Sequence, residues 1–260
     1  MQEIIDYYTN YDEEGRLLSR HGSVEFLTTM HYIKKYIKPG DKILEIGAAT
    51  GRYSHALARQ GYEVDAIELT PHHIEIFKKN TEPNEKITIC QGNALDLSVF
   101  ADNKYDITLL FGPMYHLYNK ENKLTAINEA IRVTSRGGLI FIAYCISDAT
   151  ILVEFFKNIK FNINEYIEKG MIDPNTFATK SQPKDLFELV RKEDIDDLMS
   201  EFNLNRLHYV ATDGYTHHMA EAINEMDDEL FEMYLKYHFA TCEREDMVGL
   251  SHHVIDIYRN

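Results

Sequence analysis

The sequence is short of positive charge. Its 260 residues carry 27 Lys plus Arg against 42 Asp plus Glu, a formal net charge of −15. A protein that grips a nucleic-acid backbone needs a basic stripe to release counterions. Arg16, Arg20, Lys34 and Lys35 are the nearest approach to one, and the last two fit a solvated helix face. DNA, tRNA and rRNA are therefore poor candidates for the partner. Cysteine is scarce as well: Cys90, Cys145 and Cys242 are scattered and odd in number. That spacing implies no disulfide framework and suits a reducing compartment. No apolar run approaches the roughly 20 residues of a helical membrane span. The stretch Met1–Asp6 is acidic and lacks the basic start and apolar core of a secretion signal. A cytoplasmic protein without membrane contact is the expectation. No repeat, low-complexity tract or Pro/Gly/Ser linker interrupts the chain, so it is expected to form a single domain over 1–260.

What is present begins at Lys42-Ile43-Leu44-Glu45-Ile46-Gly47-Ala48-Ala49-Thr50-Gly51-Arg52. This reads as a buried strand ending near an acid, a turn of small residues, and the first turn of a helix. Small side chains let backbone approach a ligand closely. Ligands of open α/β sheets sit at the carboxyl ends of such strands. A dinucleotide fingerprint needs Gly at the first, third and sixth positions. Counted from Gly47, these are Gly47, Ala49 and Arg52, and the last fits poorly. Counted from Glu45 instead, small residues fall at 47, 49 and 51.

The order that follows is regular. Tyr62–Leu69 reads as a second strand with Glu68 near its end. An acid there can accept hydrogen bonds from ribose hydroxyls. Thr70-Pro71 opens a helix as N-cap and first helical residue. His72 and His73 are expected in its first turn, on the surface. Strands at Lys86–Gln91, Tyr105–Phe111 and Leu139–Tyr144 follow, with a helix before the last. Strands alternating with helices predict a parallel sheet with right-handed crossovers. Their near-continuous apolarity fits strands covered on both faces.

Acid-x-Gly-x-small-x-Gly, then Glu68 and the Arg136-Gly137-Gly138 turn, resembles the class I S-adenosylmethionine-dependent methyltransferases over residues 40–146. Ala49 stands where that family has its middle Gly, and Arg136 where Pro is usual. The resemblance implies a doubly wound, seven-stranded, mostly parallel sheet. Arg206–Ala211 and His253–Tyr258 would be the last two strands. It also implies S-adenosylmethionine as cofactor, with S-adenosylhomocysteine as product. Gly47, Ala49 and Gly51 would lie against the methionine part, with Glu45 orienting the turn. Glu68 would hold the ribose, and Leu69, Asn93 and Ala94 would border the adenine. Phe111 and Gly112 would lie under the reactive sulfur. The turn Gly112-Pro113-Met114-Tyr115 lacks the Asn/Asp-Pro-Pro-Tyr/Phe pattern of base-amino methyltransferases.

Three segments fall outside this core. Residues 1–38 are expected as a helical arm folded over the cofactor, with Tyr7, Tyr11 and Arg20 facing the acceptor. Residues 147–203 hold an amphipathic stretch at 151–159 and a helix at 193–202. Within residues 204–260, positions 213–249 are helical by pattern and acidic outside. These insertions would act as lids. Tyr144 is a further candidate for acceptor contact. Tyr115, His116 and His217 are the candidate catalytic groups; His116 falls in the turn after the fourth strand, beside the position expected for the methyl. His238 and Cys242, four apart, could share a helix face with a metal, but no further ligand matches their spacing, and no metal site is expected. The leading expectation is methylation of N, O or S on a small molecule. A protein side-chain methyltransferase, and a non-catalytic module binding the cofactor or a nucleotide, remain open.

Overall fold

A computed structural model describes residues 2–10, 19–182 and 186–260. The chain opens with two helices, α1 (Gln2–Asn10) and α2 (Arg20–Tyr36). The alternating core is β1 (Lys42–Ile46), α3 (Arg52–Ala58), β2 (Glu63–Glu68), α4 (Pro71–Asn80), β3 (Ile87–Gln91), β4 (Tyr105–Leu110), α5 (Lys120–Val133) and β5 (Thr134–Ile146). The insertion after β5 contains α6 (Ser147–Thr150), α7 (Ile163–Glu168), β6 (Leu189–Val190) and α8 (Lys192–Met199). Then come β7 (Asn205–Ala211), α9 (Ala220–Glu225), α10 (Asp228–Thr241) and β8 (His253–Arg259).

The sheet runs β3-β2-β1-β4-β5-β8-β7, with β6 joined to β5 as an eighth strand. All core pairings are parallel, whereas β8 lies antiparallel between β5 and β7. The expected seven-stranded, mostly parallel sheet is thus present, with the two-residue β6 added. Ile43, Leu44, Ile107, Leu109 and Phe141 are almost fully inaccessible, as both-face coverage requires. Because β8 reverses direction, its first residue, His253, lies at the sheet edge where the parallel strands end. That single reversal brings the C-terminal segment to the ligand edge.

The helix after β2 begins at Pro71 with Thr70 as N-cap, but the Thr70 hydroxyl caps nothing. Its backbone N–H instead donates to Glu68 Oε1 at 2.8 Å. His72 is exposed as expected, whereas His73 is buried, because it turns inward toward Glu68. The stretch expected as an amphipathic helix runs from α6 into wider π-helical turns over Ile151–Lys157. It buries Ile151, Val153 and Phe155, and Ile151 and Phe155 pack with Ile172. Leu152, Phe156 and Ile159 face outward. Helices α9 and α10 dock Ile223 and Phe231 onto Val24 of α2, and their acidic residues point to solvent. No described helix is long and apolar enough to cross a membrane.

Candidate functional site

The site is built first from backbone. Past Ile46 the chain turns at Gly47, whose φ is +82°. A Cβ there would lie 2.2 Å from the Phe111 carbonyl oxygen and 2.8 Å from Pro113 Cδ, so only Gly fits. Ala49 also adopts a left-handed φ, +47°. The expected Gly-to-Ala departure therefore falls on a position where Gly would be free of strain. Gly51, φ +92°, precedes α3; a Cβ there would meet the Phe77 ring at 2.5 Å and His55 Nε2 at 2.8 Å. Its role is close packing, and it is absent from the cavity wall.

Two acids organise this turn. Glu45 is buried and accepts from the Ser54 N–H at 2.9 Å and from the Ser54 hydroxyl. Burial pushes its carboxyl up to about 8, against those hydrogen bonds. Glu68 behaves oppositely. Its Oε2 accepts from the Ala49 N–H at 2.8 Å, and its Oε1 accepts from Thr70. Burial works against the charge, but His73 and these two backbone donors outweigh it and hold the carboxyl below its ordinary value. Two carboxylate oxygens offer about four lone-pair sites. With one backbone donor on each oxygen, both keep capacity for a hydroxyl donor.

These groups face a cavity of about 650 Å³ at the carboxyl ends of β1, β2 and β4. Gly47, Ala49, Glu68 and Leu69 line it on one side, with Asn93 and Ala94 at the next loop. Gly112, Tyr115, His116 and His217 also line it. Sequence reasoning thus selected residues that converge. A second cavity of about 410 Å³ shares Gly47, Ala49, Tyr115 and His253 in its walls. Glu45 and Phe111 belong to that second space. Phe111 packs on Tyr53 with ring centroids 5.0 Å apart.

Helix α1 covers the first cavity. Tyr7 lines it and packs edge-on to Phe187, with centroids 6.0 Å apart. The Tyr8 hydroxyl lies 3.0 Å from His116 Nε2, while His116 Nδ1 lies 2.8 Å from the Leu186 carbonyl. A carbonyl only accepts, so Nδ1 carries the proton and Nε2 is the acceptor. Burial lowers the His116 pKa, which keeps the ring neutral. The Tyr115 hydroxyl sits beside Gly112.

Two expected acceptor contacts are corrected. Arg20 pairs with Asp228 at 2.6 Å and lies over Phe231, fastening α2 to α10 away from the cavity. Tyr144 is buried with its hydroxyl 3.5 Å from Met199 Sδ, because that face of β5 is covered by α8. Tyr11 lies outside the described residues.

Several residues of the site were not selected from sequence. Tyr8 and Phe187 complete the wall around His116. His73 enters it with its Nε2 buried and unpartnered. Asp213 lies two residues past β7, the same strand-end placement that marks Glu68, and that signal was available. It is inaccessible to solvent. Its Oδ2 lies 2.7 Å from His253 Nδ1 and 3.2 Å from His217 Nε2. Burial opposes its charge, yet the two imidazoles hold its pKa well below the usual range. Burial likewise opposes protonation of His253, but Glu25 and Asp213 raise its pKa well above the ordinary value.

Comparison with known proteins agrees with this geometry. Residues 43–138 match the family described as a methyltransferase domain. The fold and this match point the same way: over residues 43–138 the core is similar to methyltransferase domains. Demethylmenaquinone methyltransferase of Lysinibacillus sphaericus is 28% identical over 136 residues, 50% of this chain and 55% of that protein. Its Staphylococcus aureus counterpart is 31% identical over 108 residues, 40% of this chain and 43% of that protein. The chain thus spans about half the length of the curated relatives it matches. Among solved structures, the N-methyltransferase NodS of Bradyrhizobium japonicum, in complex with S-adenosyl-L-homocysteine, superposes with a TM-score of 0.58 at 13% identity, covering 100% of this chain and 97% of its own. A Methanosarcina mazei S-adenosylmethionine-dependent methyltransferase gives 0.56 at 17% identity, covering 88% and 96%.

Proposed function

We propose that this protein transfers a methyl group from S-adenosylmethionine to a small-molecule acceptor. The carrying observation is Glu68, a charged carboxylate held by two backbone donors at the end of β2 and facing a cavity beside the Gly47 turn. The residues fit the cofactor. Glu68 retains acceptor capacity for ribose hydroxyls, and His73 Nε2 is a buried polar atom awaiting a partner. The Gly47–Ala49 backbone would hold the methionine part, Leu69, Asn93 and Ala94 would border the adenine, and Gly112 would lie near the sulfur.

Bound S-adenosylmethionine supplies a methyl group on a sulfonium, already a strong electrophile. The chain's work is alignment and exclusion of water. Orientation alone can lower a barrier by roughly 7–11 kcal/mol. Tyr7, Tyr8, Tyr115 and Phe187 give the acceptor an aromatic enclosure. A cavity roofed by α1 suits a small molecule better than a polypeptide side chain, and the named activity of the curated relatives favours the same class. His116 Nε2 is the base for an acceptor that must lose a proton. It becomes available when the acceptor displaces the Tyr8 hydroxyl, and the Leu186 carbonyl keeps the tautomer correct. Tyr115 positions the acceptor beside Gly112.

Calorimetric titration with S-adenosylmethionine, S-adenosylhomocysteine and NAD tests the reading. Micromolar binding of the first two, with no response to NAD, is expected. Binding of NAD alone would replace it with an oxidoreductase.

A further inference from the structure

Five imidazoles gather around Asp213. The His217 ring lies 5.7 Å from that of His21 and stacks on His252 at 4.5 Å. His253 is 6.2 Å from His217, and His218 is 6.3 Å from His252. His252 Nε2 is buried without a partner and lines the larger cavity. At the centre, one oxygen of Asp213 is fixed and the other is aimed. Oδ1 accepts from the Ser251 hydroxyl at 2.5 Å, the His252 N–H at 2.8 Å and the His253 N–H at 3.2 Å. Oδ2 is left to His217 and His253. The three ligand atoms lie within 4.8 Å of one another. Glu25 Oε2 stands 3.6 Å from His253 Nδ1.

We propose that Asp213, His217 and His253, with Glu25 as a fourth donor, bind a divalent first-row transition cation of the zinc type in the wall between the two cavities. The geometry is close to what such an ion requires. Metal–nitrogen and metal–oxygen bonds of about 2.0–2.1 Å at tetrahedral angles place neighbouring ligand atoms about 3.3 Å apart. The 3.2, 2.7 and 3.6 Å separations here bracket that value, and the Asp213, His217 and His253 atoms all lie within 4.8 Å of one another, so side-chain rotation would close them around an ion. Two imidazoles with carboxylates favour zinc, iron, cobalt or nickel over magnesium or calcium, which prefer oxygen alone. The Ser251 and backbone donors on Asp213 are the kind of outer support that orients a metal-binding carboxylate. His217 lines the larger cavity, Glu25 the smaller, and His253 both, so an ion there would be reachable from the cavities. If the methyl-transfer reading holds, expansion to five ligands would let the ion take one oxygen or nitrogen of the acceptor.

The test is titration of the chelator-treated, dialysed full chain with Zn²⁺, and with Co²⁺ while recording its visible absorption. One ion per chain is expected, with Co²⁺ bands that Zn²⁺ abolishes. His217→Ala, on a half-exposed side chain, should weaken binding at least tenfold, and His253→Ala likewise. His72→Ala, on the exposed start of α4, should leave it unchanged. Absence of binding, or equal affinity in His217→Ala and the parent, overturns the site. S-adenosylhomocysteine affinity is measured on the same samples and separates the two readings. Cofactor binding without zinc binding removes only the metal site; zinc binding through His217 without cofactor binding removes only the methyltransferase reading.

Discussion

Replacing Glu68 with Gln preserves the side chain's shape and removes its charge and one of its acceptors. In the folded chain Oε2 takes the Ala49 N–H and Oε1 the Thr70 N–H, each at 2.8 Å. A Gln side chain can serve only one of these, and its amide N–H₂ then opposes the other. Leaving a buried donor unmatched costs about 1–3 kcal/mol. A loss near 2 kcal/mol in unfolding free energy is therefore expected without any ligand. For a domain of this size that corresponds to a Tm lower by about 4–8 °C. Affinity for S-adenosylhomocysteine should fall at least tenfold, about 1.4 kcal/mol, because ribose hydroxyls would meet a neutral acceptor. The pH dependence has a defined sign. Since the folded carboxyl titrates below its ordinary value, the parent's advantage over the variant is complete above about pH 4.3, the unfolded value. It is lost as pH falls through the lower folded value. Urea unfolding of both proteins across that range, with calorimetry at neutral pH, measures each part. An unchanged midpoint and unchanged affinity at neutral pH would refute the role given to Glu68.

Two other perturbations bear on neighbouring groups. Glu45 is held protonated up to about pH 8 by burial, so its ionisation works against folding; the parent should lose stability as pH rises from about 4.5 toward 8, and Glu45→Gln should flatten that slope in urea unfolding. A variant as pH-dependent as the parent would show that Glu45 titrates normally. His116→Ala should slow transfer to a proton-losing acceptor by about 100- to 10,000-fold while S-adenosylhomocysteine affinity changes less than threefold. Unaltered turnover with the same acceptor would remove His116 as base.

The core was readable because its signals are local. Gly47, Glu68 and the strand runs each follow from a few adjacent residues, and the sheet's parallel order follows from their alternation. Gly47, Ala49, Glu68, Leu69, Asn93, Ala94, Gly112, Tyr115 and His116 meet at one cavity for the same reason, whereas Gly51 serves packing and Phe111 lines the second space. What escaped depends on distance in sequence. Tyr8 meets His116 across 108 positions, and Asp213 meets His253 across 40. No periodicity announces such pairs. Arg20 was misread because a cation near tyrosines is equally suited to an interhelical ion pair, and Asp228 supplies one. His73 was misread because helical position alone does not say which first-turn residue faces Glu68. The stretch at 151–159 reads as an amphipathic helix, but residues 151–157 wind as a π-helix, which apolar spacing alone does not distinguish.

The reversed strand β8 has a consequence for how this protein tolerates shortening. β8 is the only named strand paired with β7, and it covers one side of β5. Loss of residues 253–259 would leave two strand edges open to pairing with other chains. It would also remove His253, and with it the contact that ties the Asp213 loop to the sheet. Early termination in this region would therefore yield an aggregating product with its cavity wall breached, while every residue of the Gly47–Glu68 motif region remained intact. Motif content alone would overstate the competence of such a fragment.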